Sequence, residues 1–373
     1  MNYRNFGRLG VEVSALGFGA MRFPTMDGDP GSSLIDEEKA IGMIRHAIDS
    51  GLNYVDTAYP YHKGASEVVV GKALKDGYRE KTFLATKSPV WKFEKAEDFD
   101  TYLDEQLQKL EVDCIDFYLL HALSKDRWEN VILKFGIMDR MEKAKAEGKI
   151  RYIGFSFHDE LDAFKEIIDG YDHWDFCQIQ LNYINTDYQA GLEGYRYATE
   201  KGLGIIVMEP LLGGKLAVPP EQVKKVLGAD MSPVERSLSY LWDMDNVSVI
   251  LSGMNTMEQV EQNLSFAGRS GKGILTADDR AMYEHAKVVY DTMALVPCTK
   301  CQYCMPCPFG LDIPGIFEAY NSTAIRKMDE AKAMYFAMDT LADSCTACKA
   351  CEAQCPQNIK VSEIMPEITG VFA

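Results

Sequence analysis

Short apolar runs alternate with amphipathic helical patterns over most of the chain, and this alternation limits the fold more than any other feature. Eight apolar, β-rich runs end near residues 19, 56, 86, 120, 155, 179, 208 and 251, and a helical pattern follows each one. In the first helical pattern, Ile41, Ile44 and Ile48 share one face. Eight strand-helix units are the number that closes a (β/α)8 TIM barrel. A doubly wound open sheet is the alternative, although no glycine-rich phosphate loop supports it.

Polar side chains stand at the carboxyl ends of three of these runs. Asp56 closes one run and Tyr61 follows it, Lys87 ends the next run, and His121 ends the third. In parallel α/β proteins, chemistry usually takes place at the carboxyl ends of the strands. We therefore expect these four side chains to lie in one pocket.

Each of the four residues also has an ordinary structural explanation when it is taken alone. Tyr61 could be a half-buried aromatic residue, Asp56 a turn or cap residue, and Lys87 a surface charge. His121 is harder to explain in this way, because a buried imidazole needs hydrogen-bond partners. Their joint spacing favours a functional site.

The motifs that contain these residues closely resemble those of the aldo-keto reductases. They are Asp-Thr-Ala-x-x-Tyr from Asp56, Gly-x-Ser-Glu from Gly64, Ala-Thr-Lys from Ala85 and Leu-Leu-His from Leu119. The resemblance covers residues 3 to about 290. It implies an NAD(P)H-dependent oxidoreductase that acts on a small carbonyl or alcohol substrate.

The resemblance also implies a catalytic tetrad formed by Asp56, Tyr61, Lys87 and His121. Reduction of a carbonyl by hydride requires a proton donor and a group that holds the developing negative charge. Tyr61 would donate the proton, and the ammonium group of Lys87 would make that phenol more acidic. Asp56 would orient Lys87, and His121 would bind the carbonyl oxygen.

Positions for a nicotinamide cofactor are likewise implied by the resemblance. Ser156 and Gln178 would bind the carboxamide, and Met208 stands where an aromatic residue usually lies under the nicotinamide ring. The other implied cofactor positions, besides Asp56 of the tetrad, are Gly19, Ala20, Met21, Pro210, Leu211, Gly213, Leu216, Ser252, Gly253, Gln259 and Asn263.

Two of these positions bear on the choice between NADH and NADPH. Gly253 and Gln259 stand where NADPH-preferring relatives often carry a lysine and an arginine. Without those cations the 2′-phosphate of NADPH loses its strongest partners, which favours NADH. Lys215 or another loop cation could compensate.

Two cysteine motifs follow the predicted barrel. The first is Cys298, Cys301, Cys304 and Cys307, and the second is Cys345, Cys348, Cys351 and Cys355; a proline follows the last cysteine of each. This spacing is typical of ferredoxin-type [4Fe-4S] sites, in which the fourth cysteine of each motif binds the other cluster. The predicted ligand sets are therefore Cys298, Cys301, Cys304 and Cys355 for one cluster, and Cys345, Cys348, Cys351 and Cys307 for the other.

Alternatives to two clusters remain open from the sequence. Paired Cys-x2-Cys motifs also build four-thiolate zinc sites, although the third cysteine and both Cys-Pro endings favour iron-sulfur. The first motif departs by one residue from the bacterial ferredoxin pattern, so a single stable cluster is a further alternative. We predict two domains: a barrel over residues 1–292 and a small, mostly helical, ferredoxin-like domain over residues 293–373, with clusters that either transfer electrons or stabilise the fold.

Charge and hydropathy limit the partners. The formal net charge of −17 argues against binding to nucleic acids or anionic membranes. No apolar run has the length of a bilayer span and Met1 is not followed by a signal region, so we expect a cytoplasmic protein. The alternative function is an electron-transfer or redox-sensing protein that uses the barrel to bind nicotinamide, and a redox protein is then a candidate partner.

Overall fold

The structure is a computed structural model that describes residues 1–293, 295–324 and 328–373. Its contacts divide the chain into two compact units. The first unit contains Met1–Pro210 and Ser237–Leu275, and the second contains Leu211–Arg236 and Thr276–Ala373. The boundary between residues 292 and 293 stays a prediction. Among the described residues, no helix combines the length and the apolar character that a membrane span requires.

A hairpin and a closed barrel of eight parallel strands form the first unit, as the eight-unit pattern predicted. The barrel strands follow one another in chain order, and the last pairs with the first. The hairpin consists of β1 (Tyr3–Asn5) and β2 (Glu12–Ser14), and the barrel consists of β3 (Leu16–Gly19), β4 (Tyr54–Asp56), β5 (Phe83–Ser88), β6 (Ile115–Leu123), β7 (Ile150–Phe157), β8 (Phe176–Gln180), β9 (Gly204–Met208) and β10 (Val247–Gly253).

The helices lie between and after these strands. In chain order they are α1 (Glu37–Asp49), α2 (Ala65–Ala73), α3 (Asp98–Leu110), α4 (Lys125–Arg127), α5 (Ile137–Ala146), α6 (Leu161–Asp169), α7 (Gly191–Glu200), α8 (Glu221–Leu227), α9 (Pro233–Trp242), α10 (Met257–Ala267), α11 (Ala277–Asp291), α12 (Ile313–Ser322), α13 (Met328–Phe336), α14 (Ala350–Gln354) and α15 (Val361–Phe372). Short 3-10 turns occur at Tyr61–Gly64, Arg79–Lys81, Val90–Lys92 and Ala342–Ser344, and a π turn occurs at Trp128–Leu133. The sequence pattern did not indicate α8 or the π turn.

Helix α1 illustrates why the predicted helices form. The carboxylate of Asp36 accepts a hydrogen bond from the backbone N–H of Lys39 and caps the first turn. Ile44 and Ile48 are buried together with Met43 and Ala47. The helix therefore buries one apolar face, as the spacing predicted, while Ile41 is only half-buried.

Aromatic side chains fill the amino end of the barrel. Phe6, which follows β1, has its ring centroid 4.6 Å from that of Phe117 and 5.7 Å from that of Phe176. Both Phe6 and Tyr54 are fully buried in this cluster. Because apolar rings close this end, the polar side chains at the carboxyl ends of the strands surround the other opening.

The second unit has a helical core of its own. Buried residues from α12, α13 and α15 form one cluster, in which Tyr335 stacks on Phe372 at a centroid distance of 4.2 Å. Ile316 and Phe317 of α12 are buried, and Tyr320 is half-buried against the same cluster. Residues 294 and 325–327 of the predicted, mostly helical domain lie outside the described residues.

Candidate functional site

The structure brings Asp56, Tyr61, Lys87 and His121 together at the carboxyl ends of three adjacent strands. Asp56 ends β4, Lys87 lies in β5, His121 lies in β6, and Tyr61 begins the 3-10 turn after β4. Their exposed fractions are 2%, 9%, 0% and 3% for Asp56, Tyr61, Lys87 and His121. Four polar side chains are therefore buried side by side in one place, which is unusual for groups of this kind.

Lys87 is the centre of the hydrogen bonding. Its Nζ donates to Asp56 Oδ1 at 2.6 Å, to the carbonyl oxygen of Thr57 at 2.8 Å and to the Tyr61 hydroxyl oxygen at 3.3 Å. An ammonium group has three donors and no acceptor. The Tyr61 oxygen therefore accepts this bond, and the phenol's own proton is not used in it.

Burial and charge act in opposite directions on the Lys87–Asp56 pair. Burial lowers the pKa of Lys87, and the Asp56 carboxylate opposes that shift. Burial raises the pKa of Asp56, and the Lys87 ammonium opposes it. Asp56 Oδ2 is buried and has no hydrogen-bond partner among the described residues, so the carboxylate depends on Lys87 for compensation.

His121 is held as a neutral imidazole. Burial lowers its pKa well below the usual range, and the charge of Lys87 lowers it further. Its ring lies edge-to-face with Tyr61 at a centroid distance of 6.1 Å. A neutral imidazole carries one N–H donor, which suits an uncharged carbonyl oxygen.

The two tryptophans near this region have different roles. The Trp91 ring lies 5.1 Å from that of His121 and is 36% exposed, so Trp91 stands at the edge of the site. The Arg127 guanidinium lies 5.5 Å from the Trp91 ring centroid. Trp128 is 1% exposed and packs against Trp174, so its role is packing.

A buried network behind Lys87 was not identified as functional from the sequence. Glu67 Oε1 accepts hydrogen bonds from Thr86 Oγ1 at 2.7 Å and from Gln106 Nε2 at 2.5 Å. Gln106 also donates to the carbonyl oxygen of Lys87 at 3.1 Å and accepts from Tyr118 at 2.7 Å. This network holds the side chain of Thr86 and the backbone carbonyl of Lys87. The Ser-Glu pair in the motif at Gly64 was the one sequence signal for it.

The residues predicted to bind nicotinamide lie on three neighbouring strands. Ser156 of β7 and Gln178 of β8 are register partners, and Met208 ends β9. Ser156 Oγ accepts a hydrogen bond from the backbone N–H of Ala122 at 2.7 Å, and Gln178 Nε2 donates to Met208 Sδ at 3.4 Å. Gln178 Oε1 is buried without a hydrogen-bond partner among the described residues. A carboxamide N–H fits this acceptor, because a buried polar atom is costly when it is unsatisfied.

Two of the predicted cofactor positions meet where β3 and β10 end. Gly19 and Gly253 are register partners. The aliphatic part of Arg22 lies against Gly253, where an added Cβ would be 2.8 Å from Arg22 Cγ. The structure therefore places a cation beside a position where the sequence suggested that cations were missing.

Several of the other predicted cofactor positions have polar partners of their own. Ser66 Oγ donates to the carbonyl oxygen of Ala20 at 2.9 Å, and Asn263 Nδ2 donates to Ser252 Oγ at 3.0 Å. Gln259 Oε1 accepts from the backbone N–H of Asn255, while Met21 is half-buried and Pro210 is buried. Leu211, Gly213 and Leu216 belong to the second unit.

The eight cysteines of the two motifs line two cavities in the second unit. The first cavity is lined by Cys298, Cys301, Cys304 and Cys355, and the second by Cys307, Cys345, Cys348 and Cys351. Ile313 and Val361 line both cavities. This division is the crossed one that the motif spacing predicts.

Four cysteines in one cavity are the donor set that a [4Fe-4S] cluster requires. Among the described residues, no three His, Cys, Asp or Glu side chains approach closely enough to hold one metal ion. Burial raises the pKa of the Cys298, Cys304 and Cys351 thiols, and the backbone N–H of Lys300 and the charge of Lys215 oppose this at Cys298. A bound iron-sulfur cluster would supply the positive charge that keeps such thiols ionised.

Comparison with known proteins identifies both parts of the chain. Residues 15–269 match a family model described as the aldo/keto reductase family, and residues 294–359 match one described as a 4Fe-4S dicluster domain. L-galactose dehydrogenase from Arabidopsis thaliana is 29% identical over 286 residues, covering 70% of this chain and 86% of that protein. An uncharacterized oxidoreductase from Bacillus subtilis is 25% identical over 321 residues, covering 77% and 97%. The holo form of an aldo-keto reductase from Bacillus halodurans superposes with a TM-score of 0.65 at 26% identity, covering 77% of this chain and 96% of that one.

Proposed function

The chain belongs to the aldo/keto reductase family, whose members are NAD(P)H-dependent oxidoreductases, and from this premise we propose that it transfers hydride between nicotinamide and a small carbonyl or alcohol substrate at Asp56, Tyr61, Lys87 and His121. The observation that carries the proposal is the buried Lys87 ammonium, which donates to both Asp56 and the Tyr61 oxygen. A buried lysine with these two partners is costly to maintain for packing alone.

Each residue has one task in the reaction. When bound, the nicotinamide supplies the hydride that adds to the carbonyl carbon. His121 donates its N–H to the carbonyl oxygen and orients the substrate. Tyr61 gives its proton to that oxygen to complete the alcohol, while the Lys87 ammonium stabilises the resulting phenolate. In the alcohol-to-carbonyl direction the phenolate takes the proton back.

The test of the tetrad is the substitution Tyr61→Phe. It removes the proton donor and leaves the ring, so we expect the rate of carbonyl reduction to fall by roughly 10²- to 10⁴-fold while cofactor affinity stays within a factor of about two. Tyr59→Phe is the matched control, because Tyr59 donates to Glu105 and lies outside the tetrad. Full activity of Tyr61→Phe would overturn the proposal.

The cofactor preference is the finer part of the proposal. Gly253 and Gln259 carry no charge for a 2′-phosphate, which favours NADH. Arg22 beside Gly253 and Lys215 are the cations that would oppose this preference. The test compares kcat/KM for NADH and NADPH in the wild-type enzyme and in Arg22→Gln. A higher value with NADH supports the preference for NADH. A higher value with NADPH that Arg22→Gln abolishes refutes it.

The substrate class is proposed from the site and from one relative. A neutral His121 beside a phenol suits uncharged carbonyl and hydroxyl groups, and the Arabidopsis relative is named for L-galactose. Sugars, simple aldehydes and ketones are therefore the first compounds to assay. A charged 2-oxo acid as the preferred substrate would contradict this choice.

We further propose that the eight cysteines hold two [4Fe-4S] clusters in the crossed arrangement. The support is the division of the eight cysteines between two cavities of four. Anaerobic purification followed by iron, sulfide and zinc analysis tests it. About eight irons and eight sulfides per chain are expected; about four of each would mean one cluster, and zinc in their place would refute the assignment.

Electron transfer is the second candidate function. It is favoured by the two residues that line both cavities. Clusters on either side of Ile313 and Val361 would lie close enough for one-electron exchange with each other. The test is whether the dithionite-reduced clusters are reoxidised by NAD⁺. Reoxidation supports a relay, whereas clusters that do not exchange electrons with NAD(H) favour a stabilising or docking role.

A further inference from the structure

The loop Leu211–Leu216 shares its compact unit with the eight clustered cysteines. Within that unit, Gly213 lies directly against the backbone of Thr299. A Cβ added to Gly213 would lie 3.0 Å from the carbonyl carbon and 3.2 Å from the Cα of Thr299, and it would clash with the carbonyl oxygen. The loop therefore packs directly against the peptide segment between Cys298 and Cys301, which are two predicted ligands of one cluster.

The conformation of this loop needs external support. Leu212, Gly213 and Gly214 have φ angles of 49°, 64° and 91°, and a leucine at positive φ is strained. The carbonyl oxygen of Leu211 accepts hydrogen bonds from the backbone N–H groups of Gly214 and Leu216, which makes a tight turn. Strained backbone persists only where its surroundings hold it, and the Thr299 backbone is such a surrounding.

The side chain of Thr299 lies at the first cysteine cavity, not at the loop. Thr299 is 1% exposed and lines the first cavity together with Cys298, Cys301, Cys304 and Cys355. Its Oγ1 is buried and has no hydrogen-bond partner among the described residues. A buried hydroxyl without a partner is costly, and a sulfur atom of a cluster in this cavity would accept its hydrogen bond.

We propose that Thr299 is a positioning residue that couples the loop Leu211–Leu216 to the cluster held by Cys298, Cys301, Cys304 and Cys355. Its backbone supports the loop and its hydroxyl contacts the cluster, so the affinity for dinucleotide and the surroundings of the cluster depend on each other. This inference rests on the proposed function, because Leu211, Gly213 and Leu216 of the loop are cofactor positions that the family resemblance implies. It assigns the iron-sulfur unit a task in the reductase reaction that requires no electron transfer.

The experiment uses the anaerobically purified full-length protein with its clusters, and ADP-ribose as the probe. ADP-ribose carries the adenosine and pyrophosphate of the cofactor but no nicotinamide, so it cannot exchange electrons with a cluster. Calorimetry gives its Kd, and EPR of the dithionite-reduced protein reports the clusters. We expect ADP-ribose to change the EPR spectrum of one cluster in the wild-type protein.

Gly213→Ala and Gly214→Ala form a matched pair. Both glycines have positive φ, but a Cβ at Gly214 meets nothing within 4 Å, whereas one at Gly213 meets Thr299. We expect Gly213→Ala to weaken ADP-ribose binding by roughly 5- to 150-fold, which is the usual change in affinity between coupled sites. We also expect it to alter the EPR spectrum of the protein without ligand. Gly214→Ala should leave that spectrum unchanged.

Thr299→Val is the second variant, for the case in which Gly213→Ala loses its clusters. It keeps the backbone and removes the hydroxyl, so the midpoint potential of one cluster should shift and the EPR response to ADP-ribose should decrease. If ADP-ribose binds the wild-type protein without changing the EPR spectrum, or if Gly213→Ala and Gly214→Ala behave alike, the coupling is refuted and the reductase proposal stands. If ADP-ribose, NADH and NADPH all fail to bind the wild-type protein, the reductase proposal itself fails.

Discussion

Removal of the charge on Asp56 should destabilise the barrel much more than removal of both charges of the Lys87–Asp56 pair. Nζ and Oδ1 lie 2.6 Å apart and both side chains are almost fully buried. At an effective dielectric constant of 20, unit charges at this distance attract each other by about 6 kcal/mol. Loss of one partner of such a buried pair costs about 3–5 kcal/mol, because the other charge is left uncompensated.

Asp56→Asn keeps the shape of the side chain and removes its charge, so we expect a loss of about 3–5 kcal/mol in unfolding free energy near pH 7. Part of this loss should disappear as the pH rises. Burial lowers the pKa of Lys87 and the Asp56 carboxylate opposes that shift, so this pKa falls further in the variant. Between the lowered pKa and about 10.4 the unfolded chain binds more protons than the folded one, so the stability of the variant rises with pH more than that of the wild-type protein. The double variant Asp56→Asn/Lys87→Met leaves no buried charge and should recover most of the stability but no activity.

Urea unfolding followed by tryptophan fluorescence is the assay. Trp91, Trp128, Trp174 and Trp242 are the four tryptophans of the chain, and all lie in the first unit, so the signal reports the barrel. The double-mutant cycle requires the single variants Asp56→Asn and Lys87→Met and the double variant. If the two single losses add to within about 0.5 kcal/mol in the double variant, the residues are not coupled and the reasoning is wrong.

Three further predictions concern other parts of the molecule. Glu67→Leu should lower the unfolding free energy by about 1–3 kcal/mol, because Thr86 and Gln106 lose their acceptor. In the same urea assay, Glu67→Gln should lower the unfolding free energy by less than half of that amount. Burial lowers the pKa of His158 to about 4. Stability should therefore fall as the pH is lowered from about 6.5 to 4, because the unfolded chain takes up the proton before the folded one does. Thermal melts across this range should show a smaller fall in His158→Gln than in the wild-type protein. Cys348 is exposed, so chelator in air should remove the second cluster first, and an iron assay that instead shows simultaneous loss of both clusters would contradict this order.

The patterns that predicted the fold are local in the sequence. Each strand and helix has its own apolar periodicity, and eight such units are enough to predict the barrel, because the burial of each element depends mainly on its own pattern. The family resemblance, carried by motifs such as that at Asp56, is confirmed by the match over residues 15–269. The cysteine spacing similarly predicted a dicluster domain, and residues 294–359 match one.

The boundaries of elements and the short elements were harder to predict from the sequence. Helix α8 and the π turn at Trp128–Leu133 were not anticipated. Seven residues are too few for a clear helical period, and a π turn gives no repeating pattern. The burial of Trp128, which begins that turn, against Trp174 became evident only in three dimensions.

The sequence by itself determined which residue types stand at the strand ends and which cysteines share a motif, because strand order and motif spacing are properties of the chain. Only the tertiary structure placed Glu67 behind Lys87, Arg22 against Gly253, and Gly213 on the backbone of Thr299. The residues that make these contacts are far apart in sequence or depend on the direction of a side chain, so no local pattern signals them. They form because the barrel closes and because the helices of the second unit pack on a core of their own.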